Sequence, residues 1–109
     1  MVRVVIRDEL EAKIEQDSCN QIALQLGVRN LKFNSSSDTS WPDRIYLLPG
    51  GRPGFIEYKK PGEVPEPKQA YTHEVMRKLG YRVEVGCSID EALAIIRRWL
   101  REDLEAKEK

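Results

Sequence analysis

Arg44-Ile45-Tyr46-Leu47-Leu48, then Pro49-Gly50-Gly51-Arg52-Pro53-Gly54, then Phe55-Ile56-Glu57-Tyr58-Lys59 is the stretch that decides the fold. Two short β-rich runs flank a Pro/Gly turn, so the segment predicts a hairpin, with strands over Arg44–Leu48 and Phe55–Lys59. Side chains alternate along a strand, so Glu57 and Lys59 share one face while Ile56 and Tyr58 share the other. The apolar pair can face a core, which leaves the charged pair together on the opposite side. Asp43 stands where the first strand begins, and pairing across the hairpin brings it near Glu57.

Working outward, a helix is expected at 9–26, with Leu10, Ile14, Ile22 and Leu26 in roughly helical period and Gly27 as its stop. Asp8 and Glu11 have the spacing of a capping box, and Val2–Ile6 reads as a short strand before it. Residues 28–33 read as a strand and Asn34–Ser40 as a polar loop. Past the hairpin, a Pro-rich connection leads to a helix over Pro67–Leu79 with Pro67 near its favoured first position, stopped by Gly80. Tyr81–Val85 is a further strand. Ser88 and Glu91 form a second capping-box pattern, and Ile89, Leu93, Ile96 and Leu100 stripe the last helix. The order (β)αβββαβα predicts one mixed α/β domain over residues 1–109, a mixed sheet flanked by helices.

The chain has 109 residues and no formal net charge, with 18 basic and 18 acidic side chains. The charges are unevenly placed. Residues 29–82 carry ten basic and six acidic groups, a local balance of +4 that leaves −2 on each flank. No stretch approaches the roughly 18 apolar residues of a membrane span, so no membrane partner is expected. Cys19 and Cys87 do not make a disulfide framework, and one histidine, His73, cannot build a His-rich metal site. Reduced thiols fit a cytoplasmic protein. Chemistry, if present, falls to carboxylates and lysine. Two carboxylates held together repel, and a hard divalent cation such as Mg²⁺ or Mn²⁺ relieves that. With a lysine alongside, this is equipment for phosphodiester hydrolysis: a Lewis acid, an oriented water and a cation for the developing charge.

In this order the motifs resemble a known family. A Glu-bearing helix comes first, then Pro42-Asp43-Arg44, Gly50-Gly51, Phe55-Ile56-Glu57-Tyr58-Lys59, Pro65-x-Pro67-x-Gln69 and Leu79-Gly80-Tyr81-Arg82-Val83. Together they are similar to the virus-type replication-repair nuclease (VRR-Nuc) domain, a branch of the PD-(D/E)xK nucleases, over roughly Glu11 to Trp99. The resemblance implies a restriction-endonuclease-like αβββαβ core, followed here by a C-terminal helix. It implies that Asp43 and Glu57 are metal ligands and Lys59 is the motif lysine. The carbonyl of Tyr58 or Ile56 would be a further ligand, and Gln69 a positioning group. Glu15 is the expected helix-one acid, with Glu11, one turn earlier, as the alternative. Lys32, Arg44, Lys60 and Lys68 are candidate DNA contacts. Trp41 is expected to stack on a base or to pack, and His73 to lie at the surface.

Two departures are Ser40-Trp41 before the Pro-Asp pair and Tyr58 between Glu57 and Lys59, where smaller or aliphatic residues are commoner. The implied activity is Mg²⁺- or Mn²⁺-dependent endonucleolytic cleavage of DNA, with branched DNA and four-way (Holliday) junctions leading, by a homodimer in a bacterial or phage-infected cell. The alternatives are a nuclease for flaps or linear duplex, and a non-catalytic DNA-binding or interaction module on a decayed nuclease scaffold.

Overall fold

The computed structural model describes residues 9–33 and 40–108. The strand expected at Val2–Ile6, the Asp8 cap and most of the Asn34–Ser40 loop lie outside the described residues. Seven elements follow in order: α1 (Glu9–Leu26), β1 (Arg29–Lys32), β2 (Arg44–Leu47), β3 (Gly54–Tyr58), α2 (Pro67–Lys78), β4 (Arg82–Gly86) and α3 (Ile89–Lys107). The sheet order is β1-β2-β3-β4. The first two pairings are antiparallel, and β3 and β4 are parallel, joined through α2.

The hairpin register sets Arg44 opposite Ile56 and Tyr46 opposite Gly54. Both edges of β3 are paired, because this strand is interior to the sheet, and each of its faces is covered by helices. Ile56 and Tyr58 enter the main core with Cys19 and Ile22 of α1, Tyr46 of β2 and the α3 stripe Ala92, Leu93, Ile95, Ile96 and Trp99. On the other face Phe55 packs with Met76 of α2 and Val83 of β4. The sheet is therefore a middle layer, with α1 and α3 on one side and α2 on the other. The alternation read from Phe55–Lys59 survives as a division between two packed layers.

The helix ends follow local chemistry. The Gly27 N–H reaches back to Ala23 O (3.0 Å) at φ +66°, a left-handed conformation that favours glycine. Ser88 Oγ accepts from Glu91 N (3.1 Å) at the start of α3. The Glu91 carboxylate reaches Cys87 N (3.4 Å), one residue before the expected cap, which displaces the reciprocal half of that capping box. The buried side of α1 also differs from the expected apolar stripe. It is Glu15, Ser18, Cys19 and Ile22, while Leu10 is exposed. Polar groups are tolerated there because they are met from the sheet. Arg44 meets Glu15, and the Tyr46 hydroxyl meets Cys19 Sγ (3.3 Å) and the Tyr58 hydroxyl (2.6 Å). Burial raises the pKa of both tyrosines, so both hydroxyls stay protonated in this chain of contacts. The unusual Tyr58 is thus a core residue whose polar tip has a partner.

Gly54 is the first residue of β3 rather than the last of the turn. A Cβ there would lie under 3 Å from three carbon atoms of the buried Trp99 ring. Gly54→Ala is therefore expected to destabilise the fold by about 2–3 kcal/mol, since neither ring nor strand has room to yield. Urea unfolding measures this, and a loss below about 0.5 kcal/mol, the scale of surface changes, would contradict it.

Candidate active site

Extending the β2–β3 register by one residue sets Asp43 opposite Glu57, and opposed residues in an antiparallel pair project to the same face. That face is the one covered by α2. Asp43 is held on both sides: its carbonyl accepts from Phe33 N (2.9 Å) and its Oδ2 from Tyr58 N (2.7 Å). The Asp43 carboxylate therefore caps the end of β3, beside the residue opposite it. Lys59 follows on the same side, its Nζ 3.9 Å from Glu57 Oε2 and 3.7 Å from Glu11 Oε1. Asp43, Glu57 and Lys59 come together as the sequence reading expects, in a mostly buried setting.

Helix α2 grips Glu57. Gln69, at the third position of the helix, accepts from Glu66 N through Oε1 (3.0 Å) and donates from Nε2 to Glu57 Oε2 (3.1 Å). One amide thus fastens the helix start and orients the carboxylate. One turn later, His73 points to the same group, its Nε2 3.7 Å from Glu57 Oε1. His73 is 1% exposed, not at the surface as expected, because α2 lays the stripe Gln69–His73–Met76 on the sheet. Its spacing of four residues from Gln69 was the available signal. Glu57 Oε1 and His73 Nε2 are both buried without a hydrogen-bond partner among the described residues.

The electrostatics are those of a strained carboxylate. Burial, chiefly, raises the pKa of Glu57; the His73 contact opposes this, the Asp43 charge adds to it, and Lys59 lowers it. A divalent cation would relieve both the desolvation and the repulsion, so the donor set fits such an ion. Among the described residues, no group of three or more His, Cys, Asp or Glu side chains is gathered to hold a metal. Two carboxylates are nevertheless the usual protein share of a Mg²⁺ site, water and phosphate supplying the rest.

The structure does not bring Glu15 to this pair. Arg44 lies opposite Ile56 and so projects to the α1 side, where its Nε donates to Glu15 Oε2 and its Nη1 to Asn30 Oδ1 (2.9 Å). Lys32 Nζ stands 3.8 Å from the same Glu15 oxygen. Of the two helix-one acids, Glu11 is the one that touches the Asp43–Glu57–Lys59 group, through Lys59. Among the candidate DNA contacts, Arg44 is turned inward, Lys60 Nζ lies 3.5 Å from Glu63 Oε1, and Lys68 is exposed on the first turn of α2. Trp41 is partly exposed and packs on Phe33, ring centroids 5.6 Å apart. Trp99 is in the core, and of the two free thiols Cys19 is buried and Cys87 half-buried.

No family model matches the chain. A protein of Acyrthosiphon pisum secondary endosymbiont phage 1, described as "Putative nuclease p44", is 36% identical over 75 residues, which are 69% of this chain and 80% of that protein. A solved structure described as "VRR_NUC domain" superposes with a TM-score of 0.73 at 26% identity, over 83% of this chain and 97% of its own. A second, described as "VRR_NUC domain protein", shares the fold with a TM-score of 0.70 at 18% identity, over 88% and 92% of the two chains. With the motif order and the Asp43–Glu57–Lys59 geometry already established, the chain belongs to the VRR-Nuc family of nuclease domains.

Proposed function

We propose that this protein is a divalent-metal-dependent endonuclease that hydrolyses phosphodiester bonds in DNA, preferring branched substrates and four-way junctions above others. The observation that carries the reading is the placement of Asp43, just before β2, at the end of β3 with its Oδ2 on Tyr58 N (2.7 Å), next to Glu57, with Lys59 Nζ 3.9 Å from Glu57. Asp43 and Glu57 would hold Mg²⁺ or Mn²⁺, with the carbonyl of Tyr58 or Ile56 as the main-chain candidate to join them. When bound, such an ion supplies Lewis-acid polarisation of the phosphate and a lowered pKa for water. Lys59 contributes an ammonium group for the charge that develops on the phosphate and orients the attacking water. Gln69 fixes the Glu57 carboxylate through Oε2, and His73 faces Oε1. Glu11, through its contact with Lys59, takes the helix-one position, while Glu15 anchors Arg44.

Symmetric cutting of a junction needs two active sites related by a two-fold axis, so the active form in this reading is a homodimer. Lys32, Lys60 and Lys68 supply phosphate contacts. No described helix is long and apolar enough to cross a membrane, and the phage relative fits action in the cytoplasm of a bacterial or phage-infected cell.

The test compares a synthetic four-way junction, a flap and a linear duplex, each with Mn²⁺, Mg²⁺ or EDTA. Cutting is expected only with a divalent ion, at least about tenfold faster on the junction than on the linear duplex, and sedimentation should give twice the chain mass. Cutting that persists in EDTA would overturn the metal assignment, and equal rates on all three substrates the preference for junctions.

A further inference from the structure

Beside the carboxylates lies an open groove of about 380 Å³ that the proposed chemistry does not use. Five of the chain's eight aromatic side chains line it: Phe33, Trp41, Phe55, Tyr71 and Tyr81. The other three, Tyr46, Tyr58 and Trp99, are buried in the main core. Every aromatic ring outside that core therefore faces one place. The rings are ordered against one another, Phe33 against Trp41 and Phe55 edge-on to Tyr81, with centroids 5.9 Å apart in the second pair. Tyr71 is 71% exposed and Tyr81 48%, a costly display of π-surface beside the partly exposed Trp41.

The groove lies on the same face of the sheet as the carboxylates, since Phe55 and Glu57 are two apart on β3. Trp41 is two residues before Asp43, and Phe55 two before Glu57. On α2, Gln69 and His73 face Glu57, and the neighbouring stripe through Thr72 and Met76 forms the groove wall. Thr72 Oγ1 donates to Ser40 Oγ (2.7 Å), tying that wall to the segment that delivers Asp43. Lys68 and Lys78 lie on the exposed side of α2 with Tyr71, three residues before it and seven after, and Glu74 lies there three residues after it. Exposed aromatic faces on the side of the sheet that carries the proposed phosphodiester site suit a stacked base of the DNA held there.

We propose that this groove takes one unstacked nucleobase of the DNA held at Asp43 and Glu57, a subsite that selects substrates with an unpaired or easily splayed base. The inference rests on the nuclease reading above, and supplies a physical cause for a preference for branched over continuous duplex. A base leaves its stack at little cost at a branch point and at a larger cost within intact duplex.

The test uses two DNA probes of identical length without metal, so that nothing is cut. One is fully paired and the other carries a single bulged 2-aminopurine. The proteins are wild type, Tyr71→Ala and Tyr71→Phe, the position being exposed enough for the fold to survive. Wild type is expected to bind the bulged probe roughly tenfold more tightly than the paired one and to quench its fluorescence. Tyr71→Ala should lose both effects, keeping its affinity for the paired probe, and Tyr71→Phe should retain them. Equal weakening on both probes, or no weakening, overturns the groove. So does sedimentation showing that Tyr71→Ala splits a wild-type dimer, because the groove is then a self-interface. A wild type that cuts junctions beside an indifferent Tyr71→Ala overturns the groove alone. A wild type that neither binds nor cuts DNA with Mn²⁺ overturns the nuclease reading, and the groove with it.

Discussion

Glu57→Gln is expected to yield a folded, more heat-resistant protein whose DNA cutting falls by roughly a thousandfold or more. The substitution keeps the shape of the side chain and an oxygen for the Gln69 amide, but removes the charge that would bind the metal. It also removes a liability. Burial and the neighbouring Asp43 raise the pKa of Glu57, so its ionised form is costly in the metal-free fold. The sign follows from linkage: a carboxyl with a raised folded-state pKa favours folding below its unfolded value of 4.5, and that favour is lost as pH rises through the folded value. Glutamine escapes the loss, so the gain should appear at pH 7–8, on the order of 1–2 kcal/mol, and fade below about pH 4. Thermal unfolding should show an upward shift of about 5–10 °C at neutral pH. Added Mn²⁺ should raise the melting temperature of wild type only. A variant that cuts at the wild-type rate would remove Glu57 from the chemistry. Asp43→Asn should lose activity to a similar degree. It is preferable to Asp43→Ala, because asparagine can still accept from Tyr58 N, whereas alanine strands that buried donor.

The second large effect is on stability. Arg44→Ala is expected to cost about 3 kcal/mol, read by urea unfolding, because it leaves the carboxylate of Glu15 buried without its main counter-charge. Lys32, 3.8 Å away and half exposed, offsets only part of this. Adding Glu15→Gln to Arg44→Ala should recover much of the loss, since an uncharged amide needs no ion partner. The pair of variants separates two roles for Arg44. An arginine that mainly contacts phosphate would, when removed, lower DNA affinity and reduce its salt dependence while leaving unfolding unchanged. That pattern would overturn the structural role.

The hairpin and the side on which Glu57 stands were legible because strand alternation is a local rule: Ile56 and Tyr58 could only face opposite to Glu57. The glycine stop at 27 and the α3 stripe through Leu93 and Ile96 were legible for the same reason, each requiring only a few neighbouring residues. What could not be read depends on partners far along the chain. Glu15 looks like any helical glutamate until Arg44, 29 residues on, arrives to neutralise it. His73 shares a helix face with Gln69 by its spacing of four, but that this face lies buried on the sheet against Glu57 is set by the packing of α2. Gly54 reads as a turn residue, and its requirement comes from Trp99, 45 positions later. The aromatic groove draws on both strand ends and α2, so no single stretch announces it.

The division of labour between hairpin and helix bears on how activity arises as the chain is made. Asp43, one residue before β2, and Glu57 on β3 become neighbours when the short loop between the strands closes, an event of microseconds. The amide that orients Glu57 lies beyond that loop, on a helix anchored only once β4 has paired alongside β3. A nascent chain exposed only through residue 60 lacks that brace and also the α3 layer that covers Ile56 and Tyr58, and a hairpin alone is marginal in water. Competence to cut arrives late in synthesis, after the parallel crossover has closed.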